Sequence, residues 1–220
     1  MPRRSVNLIS GEIYHVYNKS IDNRIVFEKK ALSAQFYNLL NYYKSNDPAI
    51  SYSLHKQQIL LDGNTGTFVK QLSPKVEILC YCFMPTHFHL LIKQVKDGGI
   101  VDFISKTKNS FTKYFNKTHN RNGYLFIDRF NAVHIESEEQ LLHVSRYIHL
   151  NPYSSSIVKD INKLENYKWS SYKSYVTNEE DKLINNRYIL KFFGNNKDEY
   201  KKFVMDRGDY QKSLEILKYL

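Results

Sequence analysis

The chain has 220 residues, with 32 Lys+Arg against 22 Asp+Glu and a formal charge of +10. Its 42% hydrophobic and 15% aromatic content excludes a disordered or fibrous chain, and no apolar run approaches the ~18 residues of a membrane helix. Residues 1–175 hold 23 basic and 14 acidic side chains, net +9, whereas residues 176–220 hold 9 and 8. The excess therefore belongs to the folded body, the electrostatic footprint of a polyanion such as nucleic acid. Its make-up, 24 Lys to 8 Arg, favours attraction to phosphate over bidentate reading of bases. The N-terminus carries no apolar h-region, and Cys80 and Cys82 alone make no disulfide framework. A reducing cytoplasm and no membrane partner are the expectation.

In chain order, Glu12–Asn18 is aromatic and β-branched and predicts a strand. Leu32, Phe36, Leu39, Leu40 and Tyr43 recur at helical spacing and predict an amphipathic helix over Ala31–Lys44. Asn46–Ser73, with Asp-Pro, Asp-Gly and Asn-Thr-Gly, reads as an irregular insertion or loose hairpin. Val76–Phe83 and His87–Gln94 read as neighbouring strands split by Met84-Pro85-Thr86. After Gly98-Gly99 the 3–4 spacing of Ile100, Phe103, Ile104, Thr107, Phe111, Tyr114, Phe115 and Thr118 predicts a long helix. Tyr124–Ile135 alternates loosely as a strand. Ser137-Glu-Glu-Gln140 opens a helix that Asn151-Pro152 is expected to close. Trp169-Ser-Ser-Tyr172 reads as a wrap-around segment, followed by two or three short helices. The pattern predicts an α+β fold, helices packed on an antiparallel sheet. Residues 1–175 form the main domain with a probable insertion at 46–73, and residues 176–220 a small C-terminal helical appendage.

Side chains i and i+2 of a strand share a face, so His87 and His89 point together while Phe88, Leu90 and Ile92 face a core. Two imidazoles on one strand make half of a divalent-metal site. On the helix after Ser137, Tyr147 and Asn151 are one turn apart and face the same place. A tyrosine hydroxyl as nucleophile and a carboxamide oxygen as third ligand, beside such a pair, suit phosphoryl transfer. By residue type alone, Tyr147 is one of 18 tyrosines and Asn151 reads equally as a cap before Pro152. Tyr114, on the apolar stripe of its helix, is the competing nucleophile. Cys80 and Cys82, with no second Cys pair, read as core residues.

Together these residues resemble the one-tyrosine HUH transposases, the single-strand-DNA transposases of small insertion sequences, and within them most nearly the REP-associated tyrosine transposases. The resemblance rests on Tyr14-His15-Val16-Tyr17-Asn18-Lys19, Met84-Pro85-Thr86-His87-Phe88-His89-Leu90-Leu91-Ile92, and Gly123-Tyr-Leu-Phe-Ile-Asp-Arg129-Phe130. Tyr147-Ile148-His149-Leu150-Asn151-Pro152 and Trp169-Ser170-Ser171-Tyr172 complete it. These blocks follow the family order over about residues 3–175. The resemblance implies a ferredoxin-like fold, Mg²⁺ or Mn²⁺ on His87, His89 and Asn151, and Tyr147 as the nucleophile that forms a 5′-phosphotyrosine and frees a 3′-OH. It implies a single-stranded, hairpin-bearing DNA partner and strand rejoining without an external energy source. A homodimer is among the assemblies such enzymes form. DNA contacts are expected at His15, Asn18 and Lys19, and phosphate contacts at Lys106, Lys108, Lys113, Lys117, Arg121 and Arg129, whose other reading is a solvated helix face. Two blocks depart from the family: Tyr-Asn-Lys stands where Thr-Asn-Arg is usual, and Tyr-Leu-Phe-Ile replaces a Pro-Leu-Trp-Gln type segment. The rival readings are a non-catalytic nucleic-acid-binding or regulatory protein of the same fold, and a nicking nuclease that does not rejoin.

Overall fold

A computed structural model describes residues 6–45, 50–62 and 74–217. In chain order the elements are β1 (Ile13–Lys19), α1 (Lys30–Tyr43), α2 (Tyr52–Asp62), β2 (Val76–Met84), β3 (His87–Gln94), α3 (Gly99–Thr118), β4 (Asn131–His134) and α4 (Glu138–Ser154). After α4 come the short α5 (Tyr172–Val176) and α6 (Arg187–Leu190), then α7 (Lys197–Met205) and α8 (Gly208–Leu217). The four strands form one antiparallel sheet in the order β2-β3-β1-β4. With α1 after β1 and α3 after β3, this is the ferredoxin-like arrangement expected from the sequence.

Strand alternation divides the apolar residues between two layers. On one side Tyr14, Val16, Phe88, Leu90 and Ile92 meet Phe36, Leu39 and Leu40 of α1 and Phe103 and Phe111 of α3. On the other, Ile13 and Leu91 meet Leu141 and Ile148 of α4. A β-bulge between Ile78 and Cys80 changes which residues of β2 face each layer. Tyr81 and Phe83 then join the first core, and Cys80, Cys82 and Met84 the second.

Three expectations are corrected. Asn46–Ser73 is not wholly irregular: Tyr52–Asp62 is helical, and 46–49 and 63–73 lie outside the described residues. The strand expected over Tyr124–Ile135 shrinks to Asn131–His134, because residues 121–130 form a loop whose Ile127 N–H bonds the Lys19 carbonyl. Helix α4 does not stop at Asn151-Pro152 but runs to Ser154. Proline there removes a donor to the Ile148 carbonyl, and the Asn151 amide reaches that carbonyl at 3.5 Å. The Ser154 hydroxyl bonds the Leu150 and Asn151 carbonyls and helps the last turn persist. At the other end of α4, Ser137 caps by accepting the Gln140 N–H.

The wrap-around segment seals the outer edge of β2. The Phe83 N–H bonds the Trp169 carbonyl, the Ser171 N–H bonds the Tyr81 carbonyl, and the Tyr81 N–H bonds the Ser171 hydroxyl. Such cover removes an edge open to aggregation. The C-terminal helices pack onto α4, where Tyr200 and Val204 are fully buried in the second core. Tyr200 and His149 are joined by a 2.8 Å hydrogen bond, and the Gln211 amide donates to the Tyr147 carbonyl.

One close approach fixes the entry to α3. A methyl group on Gly99 would collide with the Lys75 carbonyl oxygen. That oxygen cannot yield, because the Val95 and Lys96 N–H groups both bond it. Gly99→Ala is therefore expected to destabilise the fold by about 2 kcal/mol. A urea-unfolding midpoint equal to that of the parent would contradict this.

Candidate active site

The face of the sheet beneath α4 gathers the polar side chains. Across β1 and β3, His15 lies opposite Leu91, Tyr17 opposite His89, and Lys19 opposite His87. Asn131 and Val133 of β4 extend the same face beside Tyr17 and His15. On the far side, the bulged β2 sets Cys82 against His89 and Met84 against His87. Phe88 points to the opposite core, as the alternation requires.

Each histidine of β3 is held at Nδ1, by a different kind of group. His87 Nδ1 is 3.0 Å from the Thr86 hydroxyl, and His89 Nδ1 is 3.0 Å from Nε2 of His15. Their rings are 5.0 Å apart. The turn beneath them is braced: the Ser20 N–H bonds the Thr86 carbonyl, and the Val26 and Phe27 N–H groups bond that of Pro85. A cation here would be met by Nε2 of each ring, with Nδ1 hydrogen-bonded behind it, the pattern usual for ligating histidines. His15 and His89 are buried, and burial lowers the pKa of His15 to about 4, so it is neutral at pH 7.

From α4, the Tyr147 ring stands edge-on to both imidazoles, 5.7 Å from His89 and 5.9 Å from His15. Asn151 follows one turn later, its amide nitrogen donating to the Tyr147 carbonyl at 2.9 Å. With the nitrogen engaged by the helix, the oxygen is the atom suited to a cation. Among the described residues no group of three or more His, Cys, Asp and Glu side chains is placed to hold a metal. A cation held by His87 and His89 would draw its further ligands from amide, phosphate or water oxygens. Two imidazoles completed by oxygens suit Mn²⁺ or Mg²⁺ rather than a closed zinc site. Burial raises both Cys80 and Cys82 thiols well above their usual range, consistent with core roles.

The remaining expected DNA contacts fall in different places. Lys19 is exposed beside His87 on the site face. Asn18 is buried; its amide bonds the Ile127 carbonyl, and its oxygen accepts the Lys19 N–H, so it ties loop 121–130 to β1. Helix α3 belongs to the opposite layer. There Lys106 pairs with Asp102, and Lys108 donates to the Ile127 and Asp128 carbonyls. Arg121 bonds Asn116 and the Tyr124 carbonyl. Lys113, Lys117 and Arg129 are exposed. Tyr114 packs against the first core, across the sheet from the histidines. Tyr17, 5.8 Å from the His89 ring, belongs to the site although the sequence reading gave it no role. The alternation of β1 that pairs it with His15 was the available signal.

An antiparallel ferredoxin-like sheet thus carries a histidine pair beneath the helix that presents Tyr147. The family model described as "Transposase IS200 like" matches residues 67–151, from the segment before β2 to Asn151. A solved structure described as a REP-associated tyrosine transposase bound to a REP hairpin has the same fold, with a TM-score of 0.58 at 15% identity. The alignment covers 80% of this chain and 86% of that one. No curated protein sequence matches the chain. Over residues 67–151 the chain is similar to the IS200-like transposases. None of its described helices is long and apolar enough to cross a membrane.

Proposed function

We propose that this protein is a transposase that cleaves and rejoins single-stranded DNA through a covalent bond to Tyr147, at a divalent ion held by His87, His89 and Asn151. The observation that carries the reading is the Tyr147 ring set edge-on to His89 and His15 on one sheet face, with His87 alongside. When bound, Mg²⁺ or Mn²⁺ polarises the scissile phosphate and offsets charge developing on its oxygens. Tyr147 Oη attacks phosphorus and releases its proton to water. The bond to the 3′-oxygen breaks, and that oxygen takes a proton from water. The phosphodiester energy is kept in the tyrosine–phosphate bond, so a 3′-OH from another end can reverse the step without a nucleotide. Lys19 beside His87, and the +9 charge of residues 1–175, would draw the DNA backbone to this face. The hairpin in the solved relative supports a hairpin-bearing single strand as substrate, and DNA with abundant Mg²⁺ fits a cytoplasmic setting.

The test is a denaturant-resistant adduct between the full chain and hairpin-bearing single-stranded DNA in Mn²⁺. With a 5′-phosphotyrosine, a label on the 3′ end of the DNA stays with the protein and a 5′ label does not. Chelator should abolish the adduct, and a second cleaved end should yield joined product. Salt-sensitive hairpin binding with no adduct in Mn²⁺ would instead make the chain a non-catalytic DNA-binding protein. An adduct with no joined product would make it a nicking nuclease.

A further inference from the structure

We infer that His15 is a positioning residue for the cation, acting through His89; the inference rests on the reading of His87 and His89 as metal ligands. Its ground is the 3.0 Å contact between His15 Nε2 and His89 Nδ1, with the two rings stacked 5.2 Å apart at 22°. Only one proton can occupy that contact, so there are two arrangements. If His15 donates, His89 must carry its own proton on Nε2, and a protonated nitrogen cannot bind a metal. If His89 donates from Nδ1 and His15 accepts, the lone pair of His89 sits on Nε2, where a cation can use it. An acceptor behind a ligating imidazole also raises its basicity and fixes its ring.

The surroundings hold His15 in that role. It lies on β1 between Val133 of β4 and Leu91 of β3, the two strands that flank it. Tyr17 and Tyr147 pack against its ring at 5.2 and 5.9 Å. His89, two phenols, Leu91 and Val133 are thus among its neighbours. His87 has a neutral hydroxyl, Thr86, in the corresponding place. The two ligands are therefore unlike: His87 rests on a flexible hydroxyl in the turn, and His89 on a rigid imidazole in the sheet. Buried His15 touches His89, whereas Lys19 on the same face is exposed.

The test measures Mn²⁺ binding to the full chain by calorimetry and by the paramagnetic signal of the free ion, without DNA. His15→Leu keeps an apolar strand residue but cannot accept a hydrogen bond, and His15→Gln offers an amide oxygen in its place. His15→Leu should weaken Mn²⁺ binding by about 10–100-fold, and His15→Gln should recover part of the loss. Hairpin binding in chelator should be the same in all three proteins. Wild-type affinity in a folded His15→Leu chain would overturn the inference while leaving the metal reading intact. If His15→Leu does not fold, a His15→Gln chain weaker than His15→Asn and His15→Ala alike would overturn it. A wild-type chain that takes up no Mn²⁺ overturns both.

Discussion

Replacing Tyr147 by Phe should abolish the covalent adduct, a fall in strand cleavage on the order of 10⁴-fold or more, the scale seen when a covalent nucleophile is removed. The substitution takes away one oxygen and leaves the ring that stands edge-on to His89 and His15. The Tyr147 carbonyl accepts from Asn151 and from Gln211, and the substitution keeps both of these backbone bonds. A Tyr147→Phe chain that folds and binds the hairpin like the parent yet forms no adduct places the loss on chemistry. Tyr114→Phe is the matched control, since Tyr114 packs in the core on the other side of the sheet. An adduct that survives Tyr147→Phe and is lost in Tyr114→Phe would reassign the nucleophile to α3.

Much of the fold was legible from patterns that packing reinforces. The spacing of Leu32, Phe36, Leu39 and Leu40 predicted α1, and all four are buried. The alternation through His87-Phe88-His89 placed the histidines and Phe88 on opposite faces, which the two cores bear out. Part of what escaped depended on contacts distant in sequence. Tyr124–Ile135 alternates like a strand, but the loop bonds the end of β1 instead of extending the sheet. Pro152 reads as a helix stop because local rules count only the lost N–H. The Asn151 amide and Ser154 hydroxyl bond carbonyls three and four residues back and support the last turn, a compensation those rules leave out. The bulge at Ile78/Cys80 leaves no mark in an unbroken apolar run, yet it decides that Cys82 and Met84 line the site side. His15 was read as a DNA contact because the motif placed it near the start; only the β1–β3 register reveals that it meets His89.

The same α4 helix carries the group with the largest expected effect on pH stability. His149 is fully buried between α4, α7 and the segment that seals β2. Its Nδ1 is 2.8 Å from the Tyr200 hydroxyl and its Nε2 2.9 Å from that of Ser171. The Tyr200 hydroxyl lies 3.1 Å from that of Ser145, which donates to the Leu142 carbonyl. Tyr200 donates to Ser145, so Nδ1–H donates to Tyr200, and the Ser171 hydroxyl lies between Nε2 and the Tyr81 carbonyl, 3.2 Å away. Burial lowers the His149 pKa to about 3 and so keeps the imidazole neutral at pH 7. An unfolded chain takes up the same proton near pH 6.5. Between pH 6.5 and about 3 the unfolded state therefore binds more protons, and stability falls as pH falls through that window and is level above it. At pH 5 the loss from this one group is about 2 kcal/mol relative to pH 7. Urea unfolding at the two pH values should show it, and His149→Gln should lose stability at pH 7 but show a shallower fall to pH 5. Equal slopes in the two proteins would mean that His149 does not hold the folded state to its neutral form. Because Asn151 and Tyr147 lie two residues to either side of His149, acid that loosens this network would also loosen the helix presenting them. Adduct formation should then decline with the same acid limb as folding in the parent.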